Sequence, residues 1–186
     1  MENELKPKSA WIVVDLVNDF VNGVFGSDQA RMILKKTLSV LDKVKNSVLL
    51  VFTQDSHIHN DPEFSIWGEH CIMGTRGSEL CEGLDVYEGY KIRKRHYDAF
   101  YDTDLPGFLT ASGIDKLYIS GISTEICVQH TVSGAFMRYY DTTVVVDLCT
   151  SIDPGKHDSS IDFMKRVYGV RVIDSEEFVT EVSKWE

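Results

Sequence analysis

Short apolar runs rich in β-branched residues recur along the chain, with longer amphipathic segments between them. The clear runs lie at 10–16, 48–53, 116–123 and 142–149, and weaker ones lie at 90–93 and 169–173. Within each clear run, apolar residues follow one another instead of alternating with polar ones. This pattern is typical of strands that are covered on both faces of a parallel sheet.

Helical periodicity fills the intervals between these strands. The segment 29–45 is a clear amphipathic helix, and the segments 124–139, 157–167 and 176–185 also show a helical pattern. The alternation predicts an α/β, Rossmann-like, doubly wound fold, in which a mostly parallel six-stranded sheet is flanked by helices. The chain has 4 prolines, no low-complexity tract and no internal repeat, so we expect a single domain over residues 1–186.

Charge and composition exclude several classes of partner. The net charge is −10, from 19 Lys+Arg against 29 Asp+Glu, which argues against nucleic acid and membranes and leaves a small molecule as the expected partner. No apolar run approaches the ~20 residues of a membrane span, and residues 1–9 lack the apolar core of a signal peptide. The four cysteines are too scattered for a disulfide scaffold. We therefore expect reduced thiols and a cytoplasmic location.

Three reactive side chains follow predicted strands, where open α/β sheets bind their ligands. Asp15 ends the first run, Lys94 follows the run at 90–93, and Cys127 follows the run at 116–123. Thr124 is suited to cap the next helix, which would place Cys127 in its first turn. The helix dipole and the free backbone N–H groups there would lower the pKa of the thiol. The sequence therefore predicts an acid, a cation and a nucleophilic thiol in one crevice.

Each of these three residues also has a purely structural interpretation. Cys127 could be a buried cysteine facing the sheet, Asp15 could close its strand in an Asx turn, and Lys94 could be a solvated member of a basic segment. Their occurrence together at strand ends favours catalysis. A carboxylate against an apolar wall has a raised pKa and can accept a proton from a thiol.

A second polar group follows the run at 48–53. Its members supply carboxylate oxygens and imidazole nitrogens, and they are Asp55, His57, Glu63 and His70. They are expected on a loop, because Asp61-Pro62 and Gly68 interrupt regular structure. One divalent metal ion is therefore predicted, zinc first, with manganese and iron as alternatives. Rival ligands are His59, Asp61 and, more weakly, Cys71. A polar loop with surface histidines is the alternative interpretation.

Three segments resemble the isochorismatase-like cysteine hydrolase superfamily. They begin at Asp15, Lys94 and Gly121 and read DLVNDF, KRHYDAF and GISTEICV. The segment from Asp55 to Thr75 contains DSH, PEF, WGEH and GT in order, and it is similar to the nicotinamidase branch of that superfamily. The resemblance covers about residues 10–175, and the Asp, Lys and Cys segments in this order are specific for the superfamily.

The resemblance implies roles for the matching residues. The catalytic triad matches Asp15, Lys94 and Cys127, and the metal ligands match Asp55, His57, Glu63 and His70. The substrate-binding positions are Phe20, Trp67, Tyr97 and Ile122. The bond between Ile122 and Ser123 matches a cis peptide, which shapes an oxyanion hole made by the backbone amides of Ser123 and Cys127. Members of the family commonly assemble, so a homo-oligomer is one expectation.

The activity implied by the resemblance is hydrolysis of nicotinamide to nicotinate and ammonia through a cysteine thioester, in NAD salvage, with pyrazinamide as a further substrate. The alternative is a related hydrolase for another small amide or a ureido or carbamoyl substrate. Two further classes are a non-catalytic binding protein and a metal-dependent hydrolase with Cys127 merely buried. Three residues depart from the family pattern, namely Val17, Asp98 and Glu125. We expect Asp98 to add a carboxylate near the pocket mouth.

Overall fold

A computed structural model describes residues 9–185 of the chain. Its strands are β1 (Ser9–Val14), β2 (Leu49–Asp55), β3 (Tyr90–Lys94), β4 (Lys116–Ile122), β5 (Asp141–Thr150) and β6 (Arg171–Ile173). They form one sheet in the order β3-β2-β1-β4-β5-β6, and every neighbouring pair is parallel. The predicted doubly wound fold is confirmed, and all six predicted strands are present. Residues 1–8, on which the expectation of no signal peptide rests, lie outside the described residues.

The strand order reverses between β1 and β4. From β1 the chain builds outward through β2 to β3, and it then returns to the other side of β1 to add β4, β5 and β6. Loops that leave the carboxyl ends of β1 and β4 therefore diverge and open a crevice. A reversal of this kind is the point at which doubly wound sheets bind their ligands.

Seven α-helices accompany the sheet in the described part of the chain. They are α1 (Asn18–Val21), α2 (Asp28–Val44), α3 (Phe64–Trp67), α4 (Leu105–Ala111), α5 (Gln129–Phe136), α6 (His157–Tyr168) and α7 (Ser175–Val182). The predicted helix at 124–139 is divided, because a π-helical turn over Thr124–Val128 precedes α5. Helices α1, α3 and α4 were not predicted, because each is too short to show a periodic pattern. No helix within residues 9–185 is long and apolar enough to cross a membrane.

The continuous apolar runs are explained by burial of both faces of the sheet. In β1, Trp11 and Val13 pack with α2 and α7, whereas Ile12 and Val14 pack with α4, α5 and α6. Successive side chains of a strand point to opposite faces, so a strand between two helical layers needs apolar residues at every position. The two layers fix the sheet and so hold the carboxyl ends of its strands in place.

Candidate active site

Asp15 is the first residue after β1, and its backbone carries its carboxylate into the crevice. Its φ of 50° lies in the left-handed region, which Asp tolerates better than most residues. The side chain is fully buried, and the Thr53 hydroxyl donates to its Oδ1 at 2.6 Å. Burial raises the pKa of this carboxyl group, although the Lys94 ammonium opposes the rise. Asp15 is therefore a carboxylate with an increased affinity for a proton.

Lys94 ends β3 and lies at the centre of the site. It is only 2% exposed, so the interpretation as a solvated surface lysine is wrong. Its Nζ lies 2.6 Å from Asp15 Oδ2, 3.5 Å from Asp55 Oδ1 and 3.6 Å from Cys127 Sγ. Burial alone would lower its pKa, but the Asp15 carboxylate, the Cys127 sulfur and Asp55 raise that pKa well above its usual value. The ammonium therefore stays charged and joins three acidic groups.

Cys127 lies in the π-helical turn that follows a cis peptide between Ile122 and Ser123. Burial raises the pKa of its thiol well above the usual value, and this effect exceeds the lowering by Lys94. The predicted lowering of this pKa is wrong, because the thiol is buried beside carboxylates and precedes α5 instead of starting it. Thr124 does not cap the helix either, since its hydroxyl pairs with His157 Nδ1 at 2.9 Å. The neutral thiol therefore needs a base, and the buried Asp15 carboxylate, which lies beside the same Lys94 ammonium as the Cys127 sulfur, can act as one.

The other three cysteines are less suited to nucleophilic chemistry. All four cysteines are free and buried. Burial raises the pKa of Cys81 and of Cys149 to about 12, and it also raises that of Cys71. A thiol becomes a nucleophile when a base takes its proton. Of the four, Cys127 has both a buried carboxylate and a buried ammonium beside its sulfur.

Two imidazoles and a carboxylate converge beside this triad. His57 Nε2 and His70 Nε2 lie 2.9 Å and 3.5 Å from the same oxygen, Asp55 Oδ2. One ligand atom from each residue lies within 4.8 Å of the others. Glu63 Oε1 is farther away, at 4.0 Å and 3.9 Å from the two Nε2 atoms. This buried set of nitrogen and oxygen donors fits a divalent cation.

Neighbouring positive charges keep the Asp55 carboxyl group in the ionised form that binds a metal cation. Burial by itself would raise its pKa, but the Lys94 ammonium and the two imidazoles hold that pKa well below its usual range. The carboxylate is therefore ionised, as a metal ligand must be. Because the Lys94 ammonium contacts both Asp15 and Asp55, it links the triad to the cluster of metal-type ligands.

The rival metal ligands lie elsewhere. Asp61 Oδ2 is 3.3 Å from Nδ1 of His57, the ring nitrogen that does not face Asp55. His59 is exposed, and the Cys71 sulfur faces the Gly77 carbonyl oxygen at 3.9 Å. The interpretation as surface histidines is also wrong, because His57 and His70 are both buried.

A small cavity opens above the triad and the ligand cluster. Its lining residues are Phe20, Phe25, Asp55, Glu63, Trp67, His70, Tyr97, Ser123, Ile126, Cys127 and Ile152. The structure thus brings Phe20, Trp67 and Tyr97 together as expected, and Trp67 Nε1 donates to the Tyr97 hydroxyl at 3.1 Å. Phe25, Ile126 and Ile152 also line the cavity but were not predicted from the sequence. Of these, Ile152 follows the carboxyl end of β5, so the strand-end rule applied to that strand would have found it.

Two residues that were expected near the pocket do not contribute side chains to the cavity lining. The Ile122 side chain does not line the cavity, because it is the last residue of β4 and packs into the hydrophobic core. Asp98 adds no carboxylate to the lining, because its Oδ1 accepts the Phe100 amide at 2.8 Å and its carboxylate packs against Gly134 of α5. The other departure in this region, Val17, is fully buried in the core.

Glu125 has a role that the residue type alone did not indicate. Its carboxylate accepts a hydrogen bond from the Ser123 hydroxyl and lies 3.3 Å from the Asp153 amide. The Ser123 hydroxyl oxygen in turn accepts the Ile152 amide at 2.8 Å. These bonds tie the cis peptide segment to the loop after β5, so they fix two sides of the cavity relative to each other.

Comparison with known families gives one match across most of the chain. The Isochorismatase domain matches residues 9–177. A nicotinamidase of Acinetobacter baylyi is 30% identical over 181 residues, which is 77% of this chain and 82% of that protein. A protein of Arabidopsis thaliana described as a probable inactive nicotinamidase is 29% identical over 94% of this chain and 96% of its own length.

Two solved structures with the same fold are named for different amidase activities. The N-carbamoylsarcosine amidase of Thermoplasma acidophilum superposes with a TM-score of 0.82 at 35% identity, covering 90% of this chain and 96% of that one. A pyrazinamidase of Pyrococcus horikoshii in complex with zinc superposes with a TM-score of 0.80 at 28% identity, covering 90% and 99%.

Proposed function

Because this chain belongs to the isochorismatase family of hydrolases, we propose that it is an amidase that converts nicotinamide to nicotinate and ammonia. The observation that carries the proposal is the position of Lys94. Its ammonium contacts Asp15, Cys127 and Asp55, so one buried cation joins a thiol and its base to a cluster of metal-type ligands. In this proposal the enzyme acts in the cytoplasm, in NAD salvage, and also accepts pyrazinamide.

The ligand cluster provides a means of orienting the substrate. Asp55, His57 and His70 would hold a divalent cation, with Glu63 within reach, and the zinc complex of the Pyrococcus horikoshii relative supports zinc. When bound, the cation would take the ring nitrogen of a pyridine carboxamide and so set the carboxamide within the cavity. The aromatic rings of Phe20, Phe25 and Trp67 line the same cavity and suit a planar ring.

Acylation begins at Cys127. Asp15 accepts the thiol proton, and the sulfur forms a bond to the carboxamide carbon, whose oxygen takes the electron pair of the C=O bond. The backbone amides of Ser123 and Cys127 are proposed to stabilise this oxyanion. The C–N bond then breaks while Asp15 returns its proton to the departing nitrogen. Ammonia leaves, and the acyl group stays on Cys127 as a thioester.

Deacylation uses the same base in the same order. A water molecule gives a proton to Asp15 and attacks the thioester carbon. Collapse of the second tetrahedral species breaks the C–S bond, and the sulfur recovers its proton from Asp15. Lys94 remains charged throughout and balances whichever of Asp15 and Cys127 is anionic. The sum is one amide and one water converted into one carboxylic acid and one ammonia.

A second candidate is supported by the 35% identity to N-carbamoylsarcosine amidase. That substrate carries a carboxylate, which a binding site usually meets with Arg or Lys. The residues that line the cavity in the described chain include Asp55 and Glu63 but neither Arg nor Lys. The lining therefore favours a neutral aromatic amide over an anionic ureido acid.

Ammonia release by the metal-loaded protein tests the proposal directly. We expect release from nicotinamide and pyrazinamide, and little from N-carbamoylsarcosine. Cys127→Ala should reduce kcat by ~10⁴-fold or more, since no other group can form the thioester. Cys81→Ala is the matched control, because that thiol is also buried but does not line the cavity, and its activity per folded molecule should be retained. Release from N-carbamoylsarcosine alone would replace the proposal with the second candidate.

A further inference from the structure

The two histidines of the ligand cluster are held differently at their far ring nitrogens. His70 Nδ1 lies 2.8 Å from the Gly68 carbonyl oxygen, a backbone acceptor. His57 Nδ1 is fully buried, has no well-aligned hydrogen bond, and lies 3.3 Å from Asp61 Oδ2. A histidine that binds a metal through Nε2 carries its proton on Nδ1 and needs an acceptor there. For His57, the carboxylate of Asp61 occupies that position.

Asp61 is itself held by two neighbouring residues. Its side chain is 7% exposed, and its Oδ1 accepts the Glu63 amide at 3.1 Å. Arg95, the residue after Lys94, contacts its Oδ2 through Nη2 at 3.2 Å and through Nε at 3.4 Å. The carboxylate that faces His57 is therefore anchored both to the backbone of Glu63 and to a cation at the end of β3. These contacts leave it little freedom to rotate away from the imidazole.

We propose that Asp61 is a positioning residue, which orients His57 toward a divalent cation by accepting its Nδ1 proton. This inference rests on the proposed metal site, but it does not depend on the substrate. A carboxylate behind a metal-bound imidazole holds the ring in one orientation and makes Nε2 a stronger donor. Asp61 also fixes the backbone of Glu63, so one side chain would set two of the four groups around the cation.

Two substitutions of Asp61 separate this role from packing. In Asp61→Asn the side chain keeps its size, but one carboxylate oxygen becomes an amide NH2. If the NH2 takes the place of Oδ1, the contact with the Glu63 amide is lost; if it takes the place of Oδ2, the contacts with His57 and Arg95 are lost. Asp61→Leu offers no acceptor in any orientation.

The experiment measures zinc binding to the metal-free protein by competition with a chromophoric chelator. We expect Asp61→Leu to bind Zn²⁺ about 10- to 100-fold more weakly than the wild type, and Asp61→Asn to show a smaller loss, because its amide oxygen can still face His57. In the zinc-loaded wild type, NMR should show a downfield, slowly exchanging His57 Nδ1 proton, and this resonance should be lost in Asp61→Leu. Thermal unfolding of the metal-free proteins shows whether each variant is folded. The matched control is Asp98→Asn, since Asp98 also accepts an amide two residues on but pairs with neither His57 nor His70.

The outcomes separate the inference from the function on which it rests. Wild-type affinity in both folded Asp61 variants would overturn the role of Asp61 and leave the metal site intact. A wild-type protein that binds no zinc would overturn both. An equal loss in Asp98→Asn would show a general effect of removing a buried charge and would also overturn the inference. Because zinc binding is measured without turnover, failure to hydrolyse nicotinamide would not change any of these results.

Discussion

At the residue scale, Lys94 determines the protonation states in the site. Two carboxylates and a thiol surround one ammonium, and all four groups are buried. Isolated charges at this depth are costly, so the ions are stable only as a paired group. The arrangement keeps Asp55 ionised, and it leaves Asp15, whose pKa is raised, ready to accept a proton.

Removal of the Lys94 charge should therefore affect both stability and activity. Lys94→Met should lower the free energy of unfolding by about 3–5 kcal/mol, because Asp15 and Asp55 lose their shared partner. Amide hydrolysis should fall below detection, because no cation remains to balance the anions formed at Cys127. Urea unfolding and ammonia release measure the two effects. Lys91→Met is the control, since Lys91 is exposed on the same strand and should leave both unchanged. Wild-type stability in Lys94→Met would contradict the paired-ion account.

At the scale of elements, local patterns predicted most of the framework but little of its irregular backbone. The continuous apolar runs predicted β1, β2, β4 and β5, because a strand that is buried on both faces needs apolar residues at successive positions. The π-helical turn at Thr124–Val128 could not be predicted, since its residues resemble those of an ordinary helix start. The pKa of Cys127 was predicted in the wrong direction chiefly because the sequence does not show how deeply the thiol is buried, and also because Cys127 precedes α5 instead of lying in its first turn.

The candidate site shows the same division between residue type and geometry. Residue types and strand ends were enough to select Asp15, Lys94 and Cys127. They could not separate Asp61 from the metal ligands, because its position behind His57 depends on distant backbone contacts. The His57 amide donates to the Cys71 carbonyl oxygen at 2.9 Å, and this contact across the loop fixes the backbone of His57.

Gly121 in β4 tests how closely two elements must approach to form the site. Its φ is 129°, and an added Cβ would lie 2.0 Å from the Val14 carbonyl oxygen, in the backbone of β1 just before Asp15. Gly121→Ala should therefore lower the free energy of unfolding by about 3 kcal/mol and reduce kcat, because β1 must move and carry Asp15 with it. Denaturant unfolding and ammonia release measure the two effects.

Gly107 in α4 provides the matched control, since a Cβ there meets no atom within 4 Å. Gly107→Ala should be neutral or raise the free energy of unfolding by up to about 1 kcal/mol, as expected for alanine in a helix. Equal effects of the two substitutions would show that the contact between β1 and β4 is not the cause.

At the scale of the whole molecule, the proposed active site and one stabilising network of side chains lie at opposite ends of the strands. The site occupies the carboxyl ends of β1, β2, β3 and β4. Glu181 of α7 instead reaches residues near the amino ends of β4 and β6. Its carboxylate accepts a hydrogen bond from Tyr118 at 2.8 Å and pairs with Lys116 and Arg171. Substitutions in this network should therefore change stability without changing the reaction.

Glu181→Gln gives a prediction with a defined dependence on pH. The hydrogen bond from Arg171, followed by that from Tyr118, lowers the pKa of Glu181 to about 2, against an ordinary value of 4.5. The ionised form is thus favoured in the folded protein, and its stabilisation is complete above pH 4.5 and disappears as the pH falls toward 2. At neutral pH we expect the variant to be about 1.5 kcal/mol less stable, with wild-type kcat. Urea unfolding at a series of pH values should show this difference shrinking below pH 4.5.

Glu177→Gln is the control, because it alters a more exposed carboxylate of α7, which contacts Arg171 at 3.5 Å. It should lower the free energy of unfolding much less. A difference between wild type and Glu181→Gln that stayed constant down to pH 2 would mean that Glu181 stabilises α7 through packing, because a charge contribution must vanish when the folded carboxylate takes up its proton.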